Sequence, residues 1–122
     1  MPTNAPAALP PLPATTLVAC LCAGWCRVCD DYHAVFAALR EQHPGYRFVW
    51  VDIEDDAELV GDLEVETFPT LLVGQGQQLR FIGPVTPQLA TAQRLLAALG
   101  PGPALASSPA VQALLSRLQQ SC

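Results

Sequence analysis

Cys26 and Cys29, which are separated by two residues, are the side chains of this sequence best suited to catalysis. The thiolate form of cysteine is the nucleophile, and in CxxC sites its pKa falls to roughly 3.5–7.5. The spacing lets the second sulfur reach back to the first across one helical turn. The motif therefore predicts thiol–disulfide exchange, in which Cys26 attacks a substrate disulfide and Cys29 resolves the mixed disulfide. This chemistry needs no organic cofactor.

The segments around the two cysteines predict how they are positioned. A continuous apolar run at residues 17–22 predicts a strand buried on both faces. After a turn at residues 23–25, a helix is predicted from Cys26 to about His43, because apolar residues form one stripe: Val28, Tyr32, Val35, Phe36 and Leu39. The cysteine pair would thus lie at a helix N-terminus, where free N–H groups and the positive end of the dipole favour a thiolate.

The remaining pattern predicts an α/β domain with a mixed central sheet flanked by helices. Further strands are expected at residues 47–53, 70–73 and 79–82, and helices at 55–63 and 86–99. The turn signal at residues 74–76 joins the last two strands in a hairpin. The order is therefore βαβ, a short helix, then ββα.

Composition divides the chain into three parts. Residues 1–13 contain five prolines, which predicts a poorly ordered tail. The α/β domain is expected at residues 14–100. Residues 101–122 predict a linker followed by an extra amphipathic C-terminal helix. We expect truncation after Leu99 to leave a folded domain.

Three sequence segments together resemble the thioredoxin family over roughly residues 15 to 99. They are Trp25-Cys26-x-x-Cys29, Val51-Asp52-Ile53-Glu54 and Val65-x-x-Phe68-Pro69-Thr70. The resemblance implies a thioredoxin fold and a thiol–disulfide oxidoreductase that acts on disulfide-containing proteins and is re-reduced by an electron-donor reductase. It also implies that Pro69 follows a cis peptide bond and faces the disulfide. Substrate would pair with the backbone of Phe68, in a groove completed by Trp25 and Gly83.

The sequence differs from the family pattern at positions that are expected to tune activity. The usual Gly-Pro between the cysteines is Arg27-Val28, and Arg27 places a positive charge beside the thiolate. The buried aspartate that the family carries six residues before its first cysteine falls on Cys20. Its usual lysine partner falls on Trp50, and a helix proline is replaced by Ala34.

Composition also restricts the partners and the location. The formal net charge of −5 disfavours binding to nucleic acid or to an anionic membrane. Residues 1–6 contain no basic residue, so they do not predict a signal peptide, and we expect a cytoplasmic monomer. The alternative is a mature fragment whose signal has been removed.

Other interpretations of the same residues stay open. The chain could be a non-catalytic protein-binding module of the same fold. Cys26, Cys29 and His33, with Cys22, could form a metal site, although structural zinc normally takes its second ligand pair from a distant segment, so no metal is predicted. Cys20 and Cys22 are expected to be small buried hydrophobic residues, with a redox or regulatory role for either as the alternative, and Cys122 a free thiol at the chain end.

Overall fold

A computed structural model of the chain describes residues 16–99 and 108–120. Within these ranges the helices and strands follow the predicted order. They are β1 (Thr16–Cys22), α1 (Arg27–Gln42), β2 (Arg47–Asp52), α2 (Ala57–Val60), β3 (Thr70–Gln75), β4 (Gln78–Pro84), α3 (Leu89–Ala97) and α4 (Pro109–Gln120). The predicted elements are thus confirmed, most of them within two or three residues at each end.

The four strands that the described ranges contain form one mixed sheet in the order β2-β1-β3-β4. β1 pairs in parallel with β2 and antiparallel with β3, and β3 and β4 form the predicted hairpin. Every residue of β1 is buried, as expected for a central strand covered on both faces. Because β1 runs antiparallel to β3, the end of β1 at Cys22 lies beside the beginning of β3 at Thr70.

Alternation along β1 sends successive side chains to opposite faces of the sheet. Leu17, Ala19 and Leu21 belong to one hydrophobic core, which α2 and α4 cover. Val18, Cys20 and Cys22 belong to the other, which α1 and α3 cover. Both cysteines of the strand therefore point towards the helix that carries Cys29.

The C-terminal helix α4 is an integral part of the first core. Its apolar stripe is buried at Val111, Leu114, Leu115 and Leu118. A Cβ at Gly74 in β3 would lie 2.5 Å from Cδ1 of Leu115, so a larger residue there would displace the Leu115 side chain. Arg117 Nη1 also donates to the carbonyl of Leu59 at 2.9 Å. Because α4 shares a core with the sheet, the structure favours destabilisation on truncation after Leu99, where the sequence predicted an independent domain.

Parts of the predicted domain organisation lie outside the described ranges. These parts are the proline-rich tail at residues 1–13, most of the linker beginning at residue 101, and Cys122. None of the described helices is both long and apolar enough to span a membrane.

Candidate active site

The end of β1 and the beginning of α1 meet at a short turn that carries the cysteines. The turn is closed by the N–H of Cys26, which donates to the carbonyl of Ala23 at 3.0 Å. Cys26 is the N-cap of α1, with an extended backbone (φ −86°, ψ 119°), and its side chain makes no capping hydrogen bond. Its half-buried thiol therefore lies at the positive end of the helix dipole and is not used to hold the helix.

Cys29 forms a disulfide with Cys22 in this structure, and Cys26 is a free thiol. The sequence instead predicted a bond between Cys26 and Cys29, with Cys22 as an inert hydrophobic residue. The alternation of β1 explains the difference. Cys22 is the last residue of β1 that faces α1, and Cys29 is the first buried residue of α1, at 0% and 2% exposure. Their Cα atoms are 5.9 Å apart, within the usual range for a disulfide.

The alternation was visible in the sequence before the structure was known. Cys20 and Cys22 are two residues apart in a strand, so they must share a face. In the structure the buried stripe of α1 that packs on this face begins at Cys29, whereas Val28, which the sequence analysis placed in the stripe, is exposed. Cys20 and Cys22 were expected to be small hydrophobic residues because they lie in an apolar run. That expectation took no account of the face of the sheet on which each residue lies.

Cys20 lies directly beneath the disulfide. Its Sγ is 3.7 Å from Sγ of Cys22, and because a disulfide sulfur carries no proton, Cys20 is the donor of this weak S–H···S contact. Burial raises the pKa of the Cys20 thiol to about 12. At neutral pH Cys20 is therefore a protonated thiol, and it cannot reproduce the ionisable aspartate that the family resemblance implies at this position.

Tyr32 brings a second protonated group into the same core. Its side chain is fully buried beside the cysteines, and its hydroxyl makes no hydrogen bond to any described residue. Burial raises its pKa to about 12, and the nearby Cys20 thiol contributes in the same direction. The buried side of the site is thus uncharged at neutral pH.

An apolar surface lies beside Cys26 on the solvent side. Trp25 is 68% exposed, and its ring packs edge-on against Phe68 with centroids 5.7 Å apart. The peptide bond between Phe68 and Pro69 is cis, as the resemblance implies. Gly83 lies opposite Leu71 in the hairpin, at the same end of the sheet. The structure therefore brings Trp25 and Phe68 into contact and places Pro69 and Gly83 at the end of the sheet where β1 delivers the cysteines.

The charges near the site lie at the surface. Arg27 and Val28, which occupy the positions between the motif cysteines, are exposed, and so are Asp30 and Asp31. Solvent and salt therefore screen the effect of Arg27 on Cys26.

Asp52, which the sequence analysis named in a family segment but not as a site residue, is a carboxylate near the turn. It lies opposite Cys22 in the pairing of β1 with β2. Its side chain accepts hydrogen bonds from the backbone N–H groups of Asp55 and Glu54, at 3.0 and 2.8 Å. These bonds lower the pKa of Asp52, with the bond from Asp55 contributing most. Asp52 is therefore a fixed negative charge on the β2 side of the turn.

His33 lies away from the sulfur atoms. Its exposed ring stacks on Trp50, with centroids 3.7 Å apart and planes 19° apart. In the described ranges, no group of three or more His, Cys, Asp or Glu side chains is arranged to hold a metal ion.

Comparison with known proteins relates this arrangement to one family. The thioredoxin family model matches residues 13–94. Thioredoxin H10 of Arabidopsis thaliana is 35% identical over 75 residues, which cover 60% of this chain and 49% of that protein. The chain thus spans about half the length of this curated relative.

Solved structures support the same fold. The germline-specific thioredoxin Deadhead of Drosophila melanogaster superposes with a TM-score of 0.63 at 16% identity, covering 71% of this chain and 83% of that chain. Mitochondrial thioredoxin 3 of Saccharomyces cerevisiae, in its oxidised form, gives a TM-score of 0.61 at 23% identity, with 70% and 80% covered.

Proposed function

Because the chain belongs to the thioredoxin family, we propose that it is a thiol–disulfide oxidoreductase acting on disulfide-containing protein substrates. One observation carries this proposal. The free, half-buried thiol of Cys26 lies at the N-terminus of α1 beside an exposed apolar surface, and the sulfur of Cys29, bonded to Cys22 in this structure, lies buried one helical turn behind it. A nucleophile and its resolving partner need this kind of arrangement.

The reaction begins at Cys26. Its thiolate attacks one sulfur of the substrate disulfide, forms a mixed disulfide and expels the other substrate sulfur as a thiolate. In a chain whose Cys29 is reduced, the Cys29 thiolate then attacks Sγ of Cys26. The second substrate thiol leaves, and Cys26 and Cys29 form the internal disulfide. Two electrons have passed to the substrate, and a dithiol reductase must return them to the chain.

Substrate binding is supported by the surface around Trp25 and Phe68. Two aromatic rings in edge-on contact offer an apolar platform to a substrate chain that approaches Cys26. The backbone at Phe68, next to the cis bond, would form hydrogen bonds with an extended substrate segment, as peptides do when they add a strand to a sheet edge. Val28, between the two motif cysteines, is also exposed.

The need for re-reduction bears on the location. We propose that the chain works as a monomer in a reducing compartment, the cytoplasm, where glutathione and dedicated reductases keep protein dithiols available. Fractionation with compartment markers would test the location, and sedimentation of the purified chain would test the oligomeric state.

Insulin reduction by dithiothreitol tests the activity. The wild-type chain should accelerate precipitation of the insulin B chain well above the uncatalysed rate, and Cys26→Ser should abolish the acceleration. Cys122→Ser is the matched control, since it removes a cysteine outside the proposed site and should retain activity. A wild-type rate equal to that of dithiothreitol alone would contradict the proposal and favour a non-catalytic binding module.

A further inference from the structure

We propose that Cys22 is a third redox cysteine, and that the oxidised chain interconverts between a Cys26–Cys29 disulfide and the Cys22–Cys29 disulfide. Cys29 is the sulfur shared by both bonds. This inference rests on the proposed function, because it assigns a second oxidised state to the same site.

The fold presents Cys29 to two partners from different directions. Cys22 reaches it from the end of β1, beneath α1, and the two are bonded in this structure. Cys26 lies three residues before Cys29, one turn along the helix, and packs against the same core. Neither partner needs a change of fold to reach Cys29, because Cys22 ends β1 and Cys26 begins α1, on the two sides of the short turn that joins these elements.

The exchange is balanced without an added oxidant. The Cys26 thiolate attacks Sγ of Cys29, the new Cys26–Cys29 bond forms, and the Cys22–Cys29 bond breaks. The electron pair of the broken bond goes to Cys22, which leaves as a thiolate. The proton that Cys26 lost is taken up by Cys22, so one thiol and one disulfide remain on each side of the step.

Cys20 is placed to assist this step. It is the hydrogen-bond donor to the sulfur of Cys22, across 3.7 Å. A donor already directed at the leaving sulfur stabilises the negative charge that develops there, and this matters most in a buried site that excludes water. In the reverse direction the same contact holds the Cys22 thiol next to the Cys26–Cys29 bond.

The two oxidised states would differ in what they do to a substrate. In the Cys26–Cys29 form neither catalytic sulfur is a free thiol. In the Cys22–Cys29 form Cys26 is free at the surface, but its resolving thiol is occupied. That form can capture a disulfide substrate as a mixed disulfide on Cys26 and cannot release it through Cys29. The chain would therefore bind substrates covalently even when it is oxidised.

Disulfide mapping in a Cys122→Ser background tests the proposal. Trypsin cleaves after Arg27 and Arg40, so Cys29 is released in residues 28–40, and the other three cysteines lie in residues 1–27. The chain is oxidised with excess glutathione disulfide and quenched after increasing times with N-ethylmaleimide in guanidinium. In the linked peptides two of the three cysteines of residues 1–27 carry the label: Cys20, and whichever of Cys22 and Cys26 is not bonded to Cys29. Fragmentation of these peptides shows which of Cys22 and Cys26 is labelled.

Two populations are expected among the linked peptides, one labelled on Cys26 and one on Cys22, with proportions that change over time towards a constant ratio. Label on Cys26 and never on Cys22, at every time, would mean a static structural bond between Cys22 and Cys29. Label on Cys22 and never on Cys26 would mean that the Cys22–Cys29 bond does not form. Either result overturns the proposal.

Cys26→Ser in the same background isolates the second bond. This variant has three cysteines, Cys20, Cys22 and Cys29, and oxidation should leave one titratable thiol. Adding Cys22→Ala should leave both remaining cysteines, Cys20 and Cys29, as free thiols. Adding Cys20→Ala instead should still yield the linked peptides, with no thiol left. Three thiols in oxidised Cys26→Ser would overturn the proposal.

Insulin reduction by the wild-type chain distinguishes failure of this inference from failure of the proposed function. If insulin is reduced and only the Cys26–Cys29 bond is found, the exchange is wrong and the proposed function stands. If insulin is not reduced and Cys22–Cys29 is the sole bond, the proposed function is wrong, and this inference fails with it because the bond is then structural.

Discussion

The two faces of the sheet hold different kinds of core. The face under α2 and α4 is almost entirely aliphatic, with leucine and valine from β1, β3 and α4. The face under α1 and α3 contains Cys20, Cys22 and Cys29, several aromatic rings, and the hydroxyl of Tyr32, which has no hydrogen-bond partner among the described residues. Since successive side chains of β1 point to opposite faces, neighbouring residues of this strand lie in different cores. The aliphatic face stabilises the fold. The other face holds the cysteines of the proposed reaction, and burial of the Tyr32 hydroxyl there costs stability.

Truncation after Leu99 is expected to have the largest effect, a loss of stability from the aliphatic face. Removing the residues after Leu99 exposes the aliphatic core that Leu114, Leu115 and Leu118 fill. Burial of each such side chain contributes about 1.5–3 kcal/mol, so the sum approaches the whole stability of a small domain. We expect loss of cooperative unfolding in denaturant. Gln120→Ala, at an exposed position of the same helix, is the control and should change stability by less than about 0.5 kcal/mol.

A truncated chain that unfolds cooperatively, with a midpoint close to that of the full chain, would break the comparison. It would show that the α1 face alone supports the fold. The original expectation of an independent domain ending near residue 100 would then be correct.

We expect the chain to lose stability at alkaline pH because of the buried Cys20 thiol on the face under α1 and α3. Because burial raises the pKa of Cys20 from 9.0 to about 12, the folded chain keeps a proton that the unfolded chain releases. The stability contributed by this group is fully present below pH 9 and is lost as the pH rises towards 12. The slope is up to about 1.4 kcal/mol per pH unit. Denaturant unfolding of the oxidised chain between pH 8 and about pH 10 measures it, below the range where unfolded Tyr32 is mostly ionised.

Cys20→Ala should flatten this slope, and Leu114→Ala, a destabilising change in the aliphatic core, should keep it. The second variant lowers stability by about 2–5 kcal/mol at every pH and so separates a pH effect from simple weakening. Equal slopes in wild type and Cys20→Ala would show that Cys20 is not the group responsible.

A smaller effect is expected from the exposed positions between the motif cysteines. Arg27 favours the thiolate of the reduced chain, although exposure and salt limit this, and the exposed Asp30 and Asp31 oppose it. Replacing Arg27-Val28 by Gly-Pro should lower the potential of the Cys26–Cys29 couple by about 20–60 mV, towards about −270 mV. Equilibration with glutathione in a Cys22→Ala background measures this couple alone. A Gly-Pro variant with an equal or higher potential would contradict the charge argument.

The sequence predicted the elements better than the contacts between them. Apolar periodicity placed β1 and α1 correctly, because period and burial are local properties of the chain. The amphipathic stripe of α4 showed that the helix needs a partner surface, but no local signal indicated that the surface was the sheet face beside Gly74. The partner of Cys29 depends on how α1 crosses β1, so the CxxC spacing alone favoured Cys26 over Cys22.

Trapping of a mixed disulfide tests the central claim, the attack by Cys26, most directly. Cys29→Ser in a Cys122→Ser background, reduced and then mixed with a disulfide-containing protein such as insulin, should accumulate a covalent adduct. Peptide mass spectrometry should place the substrate sulfur on Cys26, because among the cysteines in the described ranges only Cys26 combines a free thiol, partial exposure and a helix N-terminus. An adduct on Cys22 or Cys20, or no adduct while substrate is still reduced, would contradict the account.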